Sequence, residues 1–354
     1  METAQLSFLK RLLATPGPSG DEDQAARVWR NEARTFADQV YSDVLGNSFA
    51  VLEGSGPRIL LAGHIDEIGL MISHIDDQGF LFFSSIGGWD AQVLVGQRVR
   101  LLGRHGEVIG VIGKKPIHLI KADERQQATK IEQMWIDIGV SSKSEASELV
   151  QVGDVGVIDA PVYELPGGRI VSRSIDNRIG AFTVLEALRS LSQNRPNACV
   201  AAVATTQEEI TFGGATTAAF SFDPQVAIVV DVTFATDHPD ADQRQWNTVK
   251  LGGGPVLSRG SANSGRVFRR LVDLAERDSI PYNVQISPRY TGTDADAIHH
   301  VRSGIASAVI SIPNRYMHSP NEMISLSDVE HAIRLITAFV HSVSSVNEFI
   351  PTDE

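Results

Sequence analysis

An alternation of strands and helices runs through the sequence, stops at about residue 72 and resumes at about residue 165. Leu6, Leu9, Leu12 and Leu13 recur at helical spacing, and Pro16-Gly17-Pro18-Ser19-Gly20 breaks that helix. Ala25, Val28, Trp29 and Phe36 mark the apolar side of a second helix. Short strands are expected at 48–52 and 58–63; the second is a nearly unbroken apolar run, as in a strand buried on both faces. From 72 to 164 the texture changes to short Val/Ile/Phe/Leu runs (79–83, 97–102, 108–112) separated by Gly and Asp, which predicts a small antiparallel barrel or sandwich. The stretch 121–148 is more polar and is expected to hold loops and a short helix. Beyond 164, helices are expected at 177–192, 215–220, 267–276 and 327–342, the last capped by Ser327 and Asp328. Strands are expected at 198–204, 225–230, 283–286 and 306–312. The fold class is therefore α/β: a mostly parallel sheet flanked by helices, formed by residues 1–71 plus 165–354, with 72–164 inserted as a small β-barrel domain.

Composition narrows the chemistry. The chain carries 43 Asp and Glu against 31 Lys and Arg, a net charge of -12, which argues against a nucleic-acid partner but is compatible with a metal enzyme. The single cysteine, Cys199, excludes an internal disulfide and a cysteine-based zinc site; it lies in the apolar run 198–203 and reads as core packing. The amphipathic N-terminus lacks the apolar core of a signal peptide, and no apolar stretch approaches the roughly 20 residues of a membrane span. A cytoplasmic protein with no membrane partner is expected.

Several Asp, Glu and His residues sit just beyond apolar strands. His64 and Asp66 follow 58–63, Glu208 and Glu209 follow 198–204, Asp231 follows 227–230, and His318 follows 308–312 after a short loop. Asp176 stands at the start of a helix. In open α/β sheets ligands bind beyond the carboxyl ends of the strands, so these distant residues are predicted to converge on one edge. Taken singly, each has a plainer account: a surface pair, a helix cap, a loop histidine. Together they would require several coincidences at the same edge.

Imidazole and carboxylate donors suit Zn²⁺, Co²⁺ or Mn²⁺. Five such ligands exceed what one catalytic zinc takes, and they suit two ions sharing a carboxylate. Glu208, beside a ligand, is placed to act as a general base. Because His64 and Asp66 precede the insert and Asp176 follows it, the insert must leave the sheet and return with its ends close together, which a self-contained barrel does cheaply.

The motifs, in order, resemble the glutamyl/deblocking aminopeptidase family, co-catalytic metallopeptidases with a zinc-peptidase-like fold that include the tetrahedral aminopeptidases. The resemblance rests on 13–20, Gly63-His64-Ile65-Asp66-Glu67-Ile68-Gly69, Ser174-Ile175-Asp176-Asn177-Arg178-Ile179-Gly180, Gln207-Glu208-Glu209, Asp231-Val232, Gly292-Thr293-Asp294-Ala295 and Arg315-Tyr316-Met317-His318-Ser319-Pro320. It implies that His64, Asp176 and Asp231 hold one metal. It implies that Asp176, Glu209 and His318 hold the other, with Asp176 bridging. Glu208 would be the catalytic base, and Asp66 would fix the tautomer of His64. The implied activity is removal of N-terminal residues from peptides with two divalent ions, Zn²⁺ first and Co²⁺ or Mn²⁺ as alternatives. The implied assembly is a homo-oligomer whose insert makes dimer contacts, with dimers joining into a tetrahedral dodecamer.

One departure is that Thr211 and Gly213 stand where the family usually has glycine and a basic residue, which bears on loop shape and substrate choice. A pocket for acidic side chains needs a cation, and Arg178, Arg289 and Arg315 all lie near the motifs. Three other functions stay open at this point. They are a deacylase or carboxypeptidase on the same scaffold, a glycosidase using Glu208 with Asp231 or Asp176, and a shell protein whose metals are structural.

Overall fold

The computed structural model describes residues 1–351 apart from 121–126, 242–243 and 245–246. An eight-stranded sheet forms the centre of the part outside the insert. Its order is Gln39–Ser42, Ser48–Leu52, Cys199–Thr205, Arg58–His64, Val226–Phe234, Ala306–Asn314, Val256–Gly260 and Asn283–Ser287. The four inner strands, from Cys199–Thr205 to Ala306–Asn314, run parallel, and antiparallel strands flank them on both sides.

Alternate residues of each inner strand enter different cores, which explains their unbroken apolar sequence. Ile59, Leu61, Val200, Ala202, Ile228 and Val230 pack on one face, under the helices Thr3–Ala14, Ile175–Gln193 and Leu326–Ser342. Leu60, Ala62, Ala201, Val203, Ala227 and Val229 pack on the other, under Gly213–Phe222 and Ala295–Ile298. Helices cover both faces, so the carboxyl ends of the inner strands are left as the open edge.

The expected barrel is present and closed. Its strands run in the order Gly69–Ile75, Leu81–Ile86, Met134–Asp137, Gly106–Lys114, Arg98–Gly103 and Val155–Ile158 around a core that includes Leu70, Phe83, Val99, Leu101, Ile112 and Ile136. First and last strands pair, Leu70 with Gly156 and Met71 with Val155, so the chain leaves and re-enters at adjacent points. The short helix expected within 121–148 is Lys143–Leu149, whereas residues 121–126 of that stretch lie outside the described residues.

Some features differ from expectation. A three-stranded sheet, Tyr163–Leu165, Arg169–Ser172 and Glu322–Ser325, joins segments that no periodicity linked. The last helix begins at Leu326 behind Ser325 and is not capped by Ser327 or Asp328. The buried Asp328 carboxylate accepts the backbone N–H groups of Gly252 and Gly254, both at 2.8 Å, and so satisfies two donors of that glycine turn. No helix among the described residues is long and apolar enough to cross a membrane.

Candidate metal centre

Each inner strand delivers a polar residue to the open edge. His64 is the last residue of its strand. Asp231 lies inside Val226–Phe234, which runs past the expected end at 230. Glu208 and Glu209 follow Cys199–Thr205 through Gln207, which has a left-handed backbone (φ 59°). Ser174 is also left-handed (φ 59°), and Asp176 and Asn177 are non-helical, so the regular helix starts after them. Asn177 ties that turn to the sheet by donating to the Val230 carbonyl at 2.8 Å. His318 sits in the loop beyond Ala306–Asn314 with φ 58°.

The two oxygens of Asp176 face different histidines. Oδ1 lies 3.2 Å from His64 Nε2, and Oδ2 lies 3.3 Å from His318 Nε2. Donor atoms of His64, Asp176 and Asp231 lie within 4.8 Å of one another, as do those of Asp176, Glu209 and His318. A third such group joins His64, Glu208 and Glu209. Glu208 Oε2 is 3.7 Å from His64 Nε2, and Glu209 Oε1 is 3.5 Å from His318 Nε2.

Asp66 is fully buried behind this set. Its Oδ1 lies 3.3 Å from His64 Nδ1 and accepts the Glu208 N–H at 3.2 Å, while its Oδ2 accepts the Glu209 N–H at 3.1 Å. One carboxylate thus turns His64 Nε2 towards the cluster and fixes the backbone of the Glu208-Glu209 pair. Burial opposes ionisation of Asp66, but the facing imidazole and the two N–H donors hold its pKa low.

The electrostatics of the cluster favour cations. Burial pushes the carboxyls of Glu208, Glu209 and Asp231 up. Burial would lower His64, but Glu208, Asp66 and Asp176 outweigh it and raise that imidazole well above its usual range. His318, likewise opposed by burial, is raised to about 11 by Asp176 and Glu209. Buried carboxylates in this number need positive charge among them. Glu209 Oε1 is also buried without a hydrogen-bond partner among the described residues. An acceptor left open amid histidine nitrogens and carboxylate oxygens fits divalent metal.

Sequence reasoning did not anticipate two supports. Glu322, 2% exposed, accepts the backbone N–H of Asp176 at 3.0 Å and of His318 at 2.9 Å through separate oxygens. It stands four residues after His318 at the start of the short strand Glu322–Ser325, and no spacing rule marks it. The Gly88 carbonyl, from the barrel side of the molecule, lies 2.8 Å from His318 Nδ1. A backbone acceptor carries no sequence signal.

The cluster forms one end of a cleft of about 500 Å³ whose wall includes Phe234, Ile286, Tyr290 and Arg289. The three candidate arginines have different fates. Arg178 is fully buried, donating to the carbonyls of Ile65, Leu12 and Thr15 and to Glu67, and so cannot meet a substrate. Arg315 is paired with Asp237 at 2.7 Å. Arg289 lines the cleft, exposed and with no ion-pair partner among the described residues. At the departure noted in the sequence, Thr211 Oγ1 accepts the Gly213 N–H at 3.1 Å and closes the loop on itself.

A sheet covered by helices on both faces, with an inserted barrel and a histidine–carboxylate cluster at its carboxyl edge, has known counterparts. The model of the M42 glutamyl aminopeptidase family matches residues 46–335, and the chain belongs to that family. It is therefore a peptidase of the aminopeptidase kind. The lysyl aminopeptidase of Pyrococcus furiosus is 36% identical over 348 residues, covering 97% of this chain and 99% of that protein. The TET aminopeptidase of the marine sediment archaeon Thaumarchaeota archaeon SCGC AB-539-E09 superposes with a TM-score of 0.94 at 36% identity, covering 98% and 99% of the two chains. The TET1 peptidase of Pyrococcus horikoshii, which can assemble into a tetrahedron or a large octahedral shell, superposes with a TM-score of 0.85 at 32% identity, covering 96% and 100%.

Proposed function

We propose that the chain is a dinuclear metalloaminopeptidase that removes N-terminal residues from peptides. The observation that carries this reading is the Asp176 carboxylate, whose two oxygens each lie about one hydrogen-bond length from a different histidine. In this reading His64, Asp176 and Asp231 hold one ion and Asp176, Glu209 and His318 hold the second. Divalent ions held there acidify water and stabilise negative charge on the scissile carbonyl oxygen. The donor set suits Zn²⁺, with Co²⁺ or Mn²⁺ as alternatives.

The remaining roles fall to side chains. Glu208 is mostly buried at the rim where the cluster meets the cleft. It takes a proton from the attacking water and delivers it to the departing amine. Asp66 keeps His64 in the tautomer that presents Nε2 to the cluster. Arg289 offers a cation to an acidic first side chain, beside apolar contacts from Phe234, Ile286 and Tyr290. The outer barrel surface exposes Met71, Ile109, Val111, Ile117 and Leu119, apolar area suited to contact between copies of the chain. A homo-oligomer is therefore part of the proposal, with the tetrahedral dodecamer as its fullest form.

The test uses aminoacyl and N-acyl aminoacyl p-nitroanilides. Chelation should abolish release from the free-amine substrates, and Zn²⁺ or Co²⁺ should restore it. Glu208→Gln should bind two ions and lose at least about 100-fold in kcat. Preferential cleavage of the N-acylated substrates, or a fully active Glu208→Gln enzyme, would refute the assignment.

A further inference from the structure

We infer that Glu322 is a positioning residue that sets the separation of the two metal ions by clamping the backbones of two ligands. The inference rests on the dinuclear reading above. The ligands concerned come from unrelated parts of the chain. Asp176 belongs to an irregular turn after Arg169–Ser172, and His318 to a left-handed loop after Ala306–Asn314. Neither backbone is held there by regular secondary structure. Glu322 joins them: Oε2 accepts the Asp176 N–H at 3.0 Å and Oε1 the His318 N–H at 2.9 Å.

The clamp is itself anchored. Glu322 opens the strand Glu322–Ser325, where it pairs with Ser172, a few residues before Asp176. The side chain is 2% exposed, so water does not compete for its oxygens. A carboxylate is the one common side chain with two acceptor atoms and no donor in this planar geometry. Two converging N–H groups require that, and a glutamine cannot satisfy both. Its amide must turn N–H towards one of the donors, freeing either the Asp176 or the His318 backbone. Because Asp176 is shared and His318 is not, loosening either end changes how the second ion is held.

The experiment is calorimetric titration of chelator-stripped protein with Co²⁺, together with the Co²⁺ absorption spectrum and thermal melting of the stripped protein. Wild type should bind two ions. Glu322→Gln should weaken the second by on the order of 10-fold or more and alter the visible spectrum, as loss of an outer contact does at metal sites. Glu322→Asp keeps both acceptors but withdraws them by one methylene, and it serves if the Gln variant does not fold. It should weaken the second ion less than Gln does and still measurably. Two ions bound by both variants as tightly as by wild type, with only the melting temperature lowered, would overturn the clamp and leave a purely structural role. Fewer than two ions bound by wild type would overturn the dinuclear reading itself and this inference with it.

Discussion

Replacing Asp66 by Asn tests how much of the metal centre is built from behind. The carboxylate serves three donors: His64 Nδ1 at 3.3 Å, Glu208 N–H at 3.2 Å and Glu209 N–H at 3.1 Å. Asn keeps one acceptor oxygen. If that oxygen stays with His64 and Glu208, the new amide N–H points at the Glu209 N–H, and a buried donor is left unsatisfied. Losing one charge-assisted bond in a fully buried position costs about 1.5–3 kcal/mol. At 1.4 kcal/mol per tenfold, that is about 10- to 100-fold in metal affinity if the cost falls on the site. The opposite flip turns the amide N–H towards His64 and Glu208 and costs at least as much. Titration of the stripped variant with Zn²⁺ or Co²⁺ reads the loss directly, and hydrolysis at saturating metal separates binding from turnover. Asp66→Asn protein that binds both ions within about twofold of wild type would show that His64 and the glutamate pair hold their geometry without this residue.

Two further outcomes follow from named side chains. Arg289→Ala should lower kcat/KM for substrates with an N-terminal Glu or Asp by roughly 3- to 10-fold and leave neutral ones unchanged, and an equal fall for all substrates would exclude a selective role. Glu22 is buried, and burial first of all raises its carboxyl to about 7 although Gly20 and Gln207 donate to it. The folded-state value lies above the usual 4.5, so its stabilising contribution is complete below about pH 4.5 and is lost as pH rises through 7. Glu22→Gln keeps the carbonyl acceptor without the charge. Its urea midpoint should show less decline between pH 5 and pH 8, with a gain of up to about 3 kcal/mol at the upper end; an unchanged pH profile would contradict this.

The parts of the molecule legible in the sequence are those governed by periodicity and strand ends. The apolar run at 58–63 marked a doubly buried strand, and the polar residues beyond such runs marked the edge where His64, Asp231 and Glu209 meet. The glycine-punctuated texture of 72–164 pointed to a small antiparallel barrel or sandwich, and a closed barrel is found with strands from Gly69 to Ile158. The strand Val256–Gly260 went unseen because Ser258, Arg259 and Gly260 interrupt its apolar pattern and it lies outside the doubly buried centre. Glu322 and Gly88 went unseen for a different reason: they act on backbone groups or through one, and backbone partners leave no trace in residue spacing. Arg178 is one of three candidate cleft cations because it sits inside a site motif; only its five carbonyl and carboxylate partners reveal that it braces the N-terminal segment.

The residues of the candidate cluster are spread along the chain from His64 to His318, and the last of them rests its ring on a carbonyl contributed by the barrel loop at Gly88. A growing chain therefore carries His64 and Asp66 long before the rest of the cluster exists. The cluster is complete only where the strand Ala306–Asn314 and the loop at Gly88 are both in place.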